Sequence, residues 1–128
     1  MKLLSLDIGT RRTGVAYGET ESDFIMALDT IAHKTDAELI EKVSAIVKHR
    51  KIEKVIVGLP LLLGGEEGAQ SRLVRSIANA LTNATGLDVM FLDERYTSVA
   101  KKNEDPDARA ACELLQIALE KRRKSIDF

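Results

Sequence analysis

The sequence predicts an α/β fold in which a five-stranded mixed sheet is flanked by helices, in the order β-β-β-α-β-α-β-α. Three observations point there. Residues 2–32 hold apolar stretches joined by short turns, the pattern of an antiparallel meander. Apolar residues then recur at helical spacing: Leu39, Ile40, Val43, Ile46 and Val47, and later Leu73, Val74, Ile77, Ala78 and Leu81. The runs after those two segments are short and continuous, as in buried parallel strands. Strands separated by helices then form the parallel part of a mixed sheet.

Taken in order, Lys2 to Ile8 alternates and is rich in Leu and Ile, so it reads as the first strand. Gly9 to Gly14 forms a turn, Gly14 to Gly18 a second strand and Ile25 to Ala32 a third. Thr35 or Asp36 caps the first helix. Lys54 to Gly58 is the fourth strand, and a loop over 59–68 leads to a second helix that Gly86 stops. Asp88 to Leu92 is the fifth strand. A short helix starts near Thr97, and the last helix runs from about Asp107 towards Lys121.

The chain has 128 residues, the size of one domain, and 45% of them are hydrophobic, enough for one packed interior. No apolar run approaches the ~20 residues that span a bilayer. The first residues end at Asp7 too soon for a signal peptide. A cytoplasmic protein is therefore expected, with residues 1–128 as one domain. Cys112 is the sole cysteine, which rules out an internal disulfide, and it reads as a small buried apolar residue. His33 and His49 lack partners at zinc-like spacing and read as surface or edge histidines. The formal net charge of −1 lends no direct support to nucleic-acid binding. The basic residues are clustered, however, at Arg11-Arg12, at Arg72 and Arg75, and at Lys121 to Lys124.

Three acids stand where an acid is locally unusual. Asp7 ends an apolar strand, at the carboxyl edge where open α/β sheets place ligands. Asp93-Glu94 directly follows the fifth strand, and either acid faces Asp7 if that strand runs parallel to the first. Asp105-Pro106 makes a good helix start. Asp107 is then not needed as the cap, and it falls on the stripe of Ala111, Leu114, Leu115 and Ala118 that faces the sheet. Converging carboxylates repel one another unless cations join them. Mg²⁺ and Mn²⁺ prefer oxygen ligands, and an ion pair of this kind assists phosphodiester hydrolysis.

Four blocks of residues carry a resemblance. They are Asp7-Ile8-Gly9 with Arg12-Thr13-Gly14-Val15-Ala16; Val57-Gly58-Leu59-Pro60 with Gly65, Glu67-Gly68 and Gln70-Ser71-Arg72; Leu92-Asp93-Glu94-Arg95 with Thr97-Ser98; and Asp107 with Ala110-Ala111. In this order they resemble the YqgF/RuvX family over nearly the whole chain. The resemblance implies a ribonuclease-H-like fold and a metal-dependent nuclease that uses Mg²⁺ or Mn²⁺. The substrate it implies is precursor 16S rRNA, trimmed at its 5′ end, or branched DNA such as a Holliday junction. It places the acidic triad on Asp7, Glu94 and Asp107, a choice of Glu94 over Asp93 that spacing leaves open. Arg12, Arg72, Arg75, Arg95, Lys101 and Lys102 are the candidates for holding nucleic acid. The chain departs from the family in two places. Leu62-Leu63-Gly64 replaces residues that are usually polar, and the segment between Glu94 and Asp107 is short.

Two rival readings follow from the same residues. Asp-x-Gly-Thr at Asp7 to Thr10 also occurs in actin-like ATPases and sugar kinases, which need two such domains around a nucleotide. A non-catalytic binding module of the same fold is the other. With two Tyr and three Phe, extensive base stacking is not expected, and backbone recognition is favoured.

Overall fold

The computed structural model describes residues 1–93 and 106–124. Nine elements follow in chain order: β1 (Lys2–Ile8), β2 (Arg12–Glu19), β3 (Phe24–Ala27), β4 (Ile31–Ala32), α1 (Asp36–Arg50), β5 (Lys54–Leu59), α2 (Ala69–Thr85), β6 (Val89–Asp93) and α3 (Pro106–Lys124). The sheet runs β3-β2-β1-β5-β6, with β4 also on β2. β1, β5 and β6 are mutually parallel, while β2 is antiparallel to β1. Among the described residues, no helix is long and apolar enough to cross a membrane.

Strand alternation sorts the core into two layers. Leu4, Leu6 and Ile8 of β1 join Val15, Tyr17, Val55 and Val57 in a cluster with α1 and α2. Leu3 joins Ala16, Ile56 and Leu92 in a second cluster with Ala111, Leu114, Leu115 and Ala118 of α3. That stripe is the one helical spacing selects. β1 and β5 are buried on both faces, which is why β5 reads as a continuous apolar run, while β1 places Ser5 and Asp7 on its α3 side.

Among the described residues the sheet has six strands rather than five, because the predicted third strand divides. Ala27 pairs with Ala16 and Ile31 with Thr13. Four steps along the outer strand thus match three along β2, so one extra residue is accommodated between them. This is a β-bulge on an edge strand. Its consequence is a reversal of facing: Ile25 packs with the α3 layer and Ile31 with the α1–α2 layer, although six residues, an even number, separate them.

The helix ends follow local chemistry. Thr35 caps α1, its hydroxyl accepting from Glu38 N at 3.1 Å. Gly86 ends α2 at φ 76°, donating from its N–H to the Thr82 carbonyl at 2.8 Å. Pro106 is the first helical residue of α3. His33 corrects an expectation: it is buried, not superficial, and a 2.9 Å hydrogen bond joins its Nε2 to Thr13 Oγ1. His49 is exposed. Cys112 is half-buried against the α3 layer.

Candidate active site

Asp7 is the penultimate residue of β1, and its face is fixed by its neighbours. Ser5 and Leu3, two and four residues back, both meet α3. Leu3 belongs to that core layer, and the Ser5 hydroxyl donates to the Ala111 carbonyl at 2.6 Å. Asp7 therefore shares the α3 side of the sheet.

Gly14 stands directly across from Asp7 in the β1–β2 ladder. Cross-strand partners present their side chains on the same face. A Cβ on Gly14 would lie 1.9 Å from the Asp107 carbonyl oxygen and 3.0 Å from its Cα. The first turn of α3 thus rests on the bare backbone of β2, in the place a side chain would fill. Asp7, Gly14 and Asp107 are successive neighbours at one corner of the molecule. A glycine inside a strand is a sequence signal for such close approach, although the sequence does not say what approaches.

Arg12 completes the corner from the start of β2. Its Nε donates to Asp107 Oδ2 at 2.9 Å, with 60% of the arginine side chain and 29% of the aspartate side chain exposed. The guanidinium is a cation held by the same carboxylate that the resemblance assigns to a metal. Asp7 and Asp107 are both half-buried on one face, with Gly14 between them, and carboxylates are the donors that suit a hard divalent ion. Among the described residues, no group of three His, Cys, Asp or Glu side chains is placed to hold a metal.

The geometry also bears on the choice between Asp93 and Glu94. Asp93 ends β6 and pairs with Leu59, which belongs to the α1–α2 layer. It is on the opposite face from Asp7. Leu92 is on Asp7's face, in the α3 layer. Glu94, Arg95, Lys101, Lys102 and the short helix expected near Thr97 lie outside the described residues.

The two α2 arginines differ. Arg72 is exposed in the first turn, near the edge where β1 ends, since Gln70 Nε2 donates to the Ile8 carbonyl at 3.3 Å. Arg75 makes a two-pronged pair with Glu67, Nε to Oε1 at 2.6 Å and Nη2 to Oε2 at 2.8 Å. Its guanidinium also lies 4.8 Å from the Phe91 ring centroid. The hydrogen bonds from Arg75 hold the Glu67 carboxyl below its ordinary range. Arg75 thus braces the loop before α2. Sequence reasoning missed that role, as well as the tie of Gln70 to β1 and that of Ser5 to α3.

The chain is similar to known proteins in sequence and in fold. A family model described as "RuvX: Holliday junction resolvase" matches residues 1–121. A protein of Sulfurihydrogenibium sp. (strain YO3AOP1), named "Putative pre-16S rRNA nuclease", is 35% identical over 94% of this chain and 90% of its own. One of the same name from Chloroflexus aggregans is 34% identical over 94% of each. Among solved structures, Thermus thermophilus RuvC in complex with a Holliday junction substrate superposes with a TM-score of 0.68 at 14% identity, over 96% of both chains. The Fowlpox virus resolvase in complex with Holliday junction DNA superposes with a TM-score of 0.61 at 13% identity, covering 95% of this chain and 99% of its own. At such identities the structural likeness shows the fold, which is ribonuclease-H-like.

Proposed function

Since the chain belongs to the RuvX family, we propose that it is a nuclease acting at the corner of Asp7 and Asp107, with precursor 16S rRNA as its substrate. The observation that carries the reading is the approach of Asp107 to Gly14, which brings the first turn of α3 against the strand pair that bears Asp7. Residues 1–128 act as one nuclease domain, in the cytoplasm where ribosomal RNA is made.

Asp7, Glu94 and Asp107 are the carboxylates that would hold Mg²⁺ or Mn²⁺. Such ions, when bound, supply an activated water and neutralise charge on the phosphoryl oxygens. The chain's own residues do the rest. β1 and α3 are rigid, so they present Asp7 and Asp107 with little reorganisation. Arg12, which pairs with Asp107, would be available to hold a substrate phosphate once that carboxylate served as a metal ligand. Arg72, Arg95, Lys101 and Lys102 hold the backbone, and they read charge rather than sequence. Arg75 acts through the loop it braces.

Branched DNA is the second reading, favoured by the likeness to junction resolvases across nearly the whole chain. A cleavage panel separates the two: 5′-end fragments of precursor 16S rRNA, single strands and four-way junctions, each with Mg²⁺, Mn²⁺ or chelator. Metal-dependent cuts in the RNA fragments are the expected outcome. Preferred cutting of the junction would shift the assignment to DNA. No cutting of any member would leave a binding module.

A further inference from the structure

A groove of about 670 Å³ lies between α1 and residues 26–32, which hold the end of β3 and all of β4. Its α1 wall is Lys42, Ile46, His49 and Arg50, which fall on one helical stripe. The other wall turns towards α1. Met26 stands opposite Tyr17 in the β2–β3 ladder, and Ile31 packs in the same α1–α2 layer as Tyr17. Asp7 is on the opposite face of the sheet, so the groove is not the place of the reacting phosphate.

Lys42, His49 and Arg50 line the groove, and among the described residues Asp29 is the one acid that does. In a chain of net charge −1 this is a local excess of basic residues. A concave wall of one sign concentrates its field and favours an anion. Two of the cations are held in place. Lys42 Nζ donates to the Ala32 carbonyl at 3.1 Å, with Glu38 3.7 Å away. The Arg50 guanidinium lies 5.2 Å from the Tyr17 ring centroid, and among the described residues no carboxylate pairs with it. Arg11 continues the line towards the catalytic edge, since it and Lys42 both act on the charge of His33, and Arg12 follows it at the corner of Asp107.

The spacing of the cations selects the anion. Lys42 and Arg50 are eight positions apart, about 12 Å along the helix. A single phosphate meets one end of that span. A stacked strand repeats its charge about every 3.4 Å and meets both. A protein strand added to the outer edge of β3 is the competing occupant. β3 is only four residues long and ends at the bulge, two features that oppose strand addition.

We infer that this groove is a second binding site, for the single-stranded flank of the RNA substrate, with phosphates on Lys42 and Arg50 and a path past Arg11 to the corner of Asp7 and Asp107. The inference rests on the nuclease reading. A contact so far from the cut is made equally in the ground and transition states, so it sets KM and not kcat.

The test uses the full chain and a 5′-end fragment of precursor 16S rRNA, with its single-stranded flank or trimmed of it. Binding is read by fluorescence anisotropy in chelator, and cleavage with Mg²⁺. Arg50→Gln should lower the slope of log affinity against log salt by about 0.7, a change of roughly 2.5-fold between 50 and 200 mM. It should raise KM for the flanked fragment alone, at unchanged kcat. Met26→Glu, which puts an acid on the exposed wall and leaves Arg50 on its ring, should do the same. An eight-nucleotide oligouridylate should displace the flank, and uridine monophosphate and polyglutamate should not. In the unaltered chain, 4-thiouridine in the flank should crosslink to residues 26–32 or 42–50. Unchanged slope and KM in both variants, or crosslinks that miss both segments, would overturn the groove and leave the nuclease reading intact. Equal displacement by the mononucleotide or by polyglutamate would overturn the strand as occupant, in favour of a free nucleotide or an acidic protein. A parent protein that neither cuts nor binds the RNA would overturn both readings.

Discussion

At the scale of single residues, His33 is the clearest case of burial governing charge. It is 3% exposed, its Nε2 is bonded to Thr13, and among the described residues its Nδ1 has no partner. The charged ring carries a proton on both nitrogens, and among the described residues nothing receives the one on Nδ1. Burial holds the imidazole below its ordinary value of 6.5; Asp36 and Glu38 oppose the shift, while Lys42 and Arg11 add to it. In the window below 6.5 the unfolded chain binds a proton that the folded chain does not, so stability rises with pH there. The contribution is present above the unfolded value and is lost as pH falls through the folded one. The thermal midpoint should therefore fall between about pH 7 and about pH 5, and His33→Gln should flatten that fall. Equal slopes in the two proteins would contradict the assignment. The sequence held no clue to this burial, because His33 lies just past the bulge, where alternation counted from β3 no longer applies.

At the scale of elements, the decisive contact is α3 on β2. Gly14, Ala16 and Gly18 give β2 a row of small residues beneath the helix, and a Cβ on Gly18 would lie only 3.2 Å from Leu115 Cδ1. Gly14→Ala must push the start of α3 outward, because the obstacle is Asp107 backbone rather than a movable side chain. Overpacking of this kind costs about 1–3 kcal/mol. Displacing a reactive carboxylate by even an ångström costs on the order of a hundredfold in rate. Gly86→Ala is the control: φ 76° makes a side chain there strained, but nothing lies within 4 Å. It should cost about 1–2 kcal/mol, by chemical denaturation, and leave cleavage unchanged. Equal activity losses in the two variants would mean that the position of α3 does not matter. Most element bounds were legible from periodicity and caps: Lys2 to Ile8, Thr35 as a cap, Gly86 as a stop and Pro106 as a start all stand. The division of β3 from β4 was not legible. A bulge is set by pairing with β2, and the residues of Ile25 to Ala32 look alike with or without it.

At the scale of the whole molecule, topology brings residues distant in the chain to one side of the sheet. Asp7 and Asp107 are a hundred positions apart, yet both border Gly14 on one side of the sheet, because β1 is central and α3 crosses its face. The sequence supplied the α3 stripe of Ala111, Leu114, Leu115 and Ala118, but strand order is a property of pairing that periodicity does not carry. It also left Asp93 and Glu94 equal, whereas strand parity turns Asp93 away from Asp7. The most direct measurement is Mn²⁺ titration by calorimetry together with RNA cleavage, on the unaltered chain and on Asp7→Asn and Asp107→Asn, with circular dichroism to verify folding. The account predicts that both variants fold normally, bind Mn²⁺ weakly and lose cleavage. A folded Asp7→Asn that binds Mn²⁺ and cuts RNA as well as its parent would contradict it.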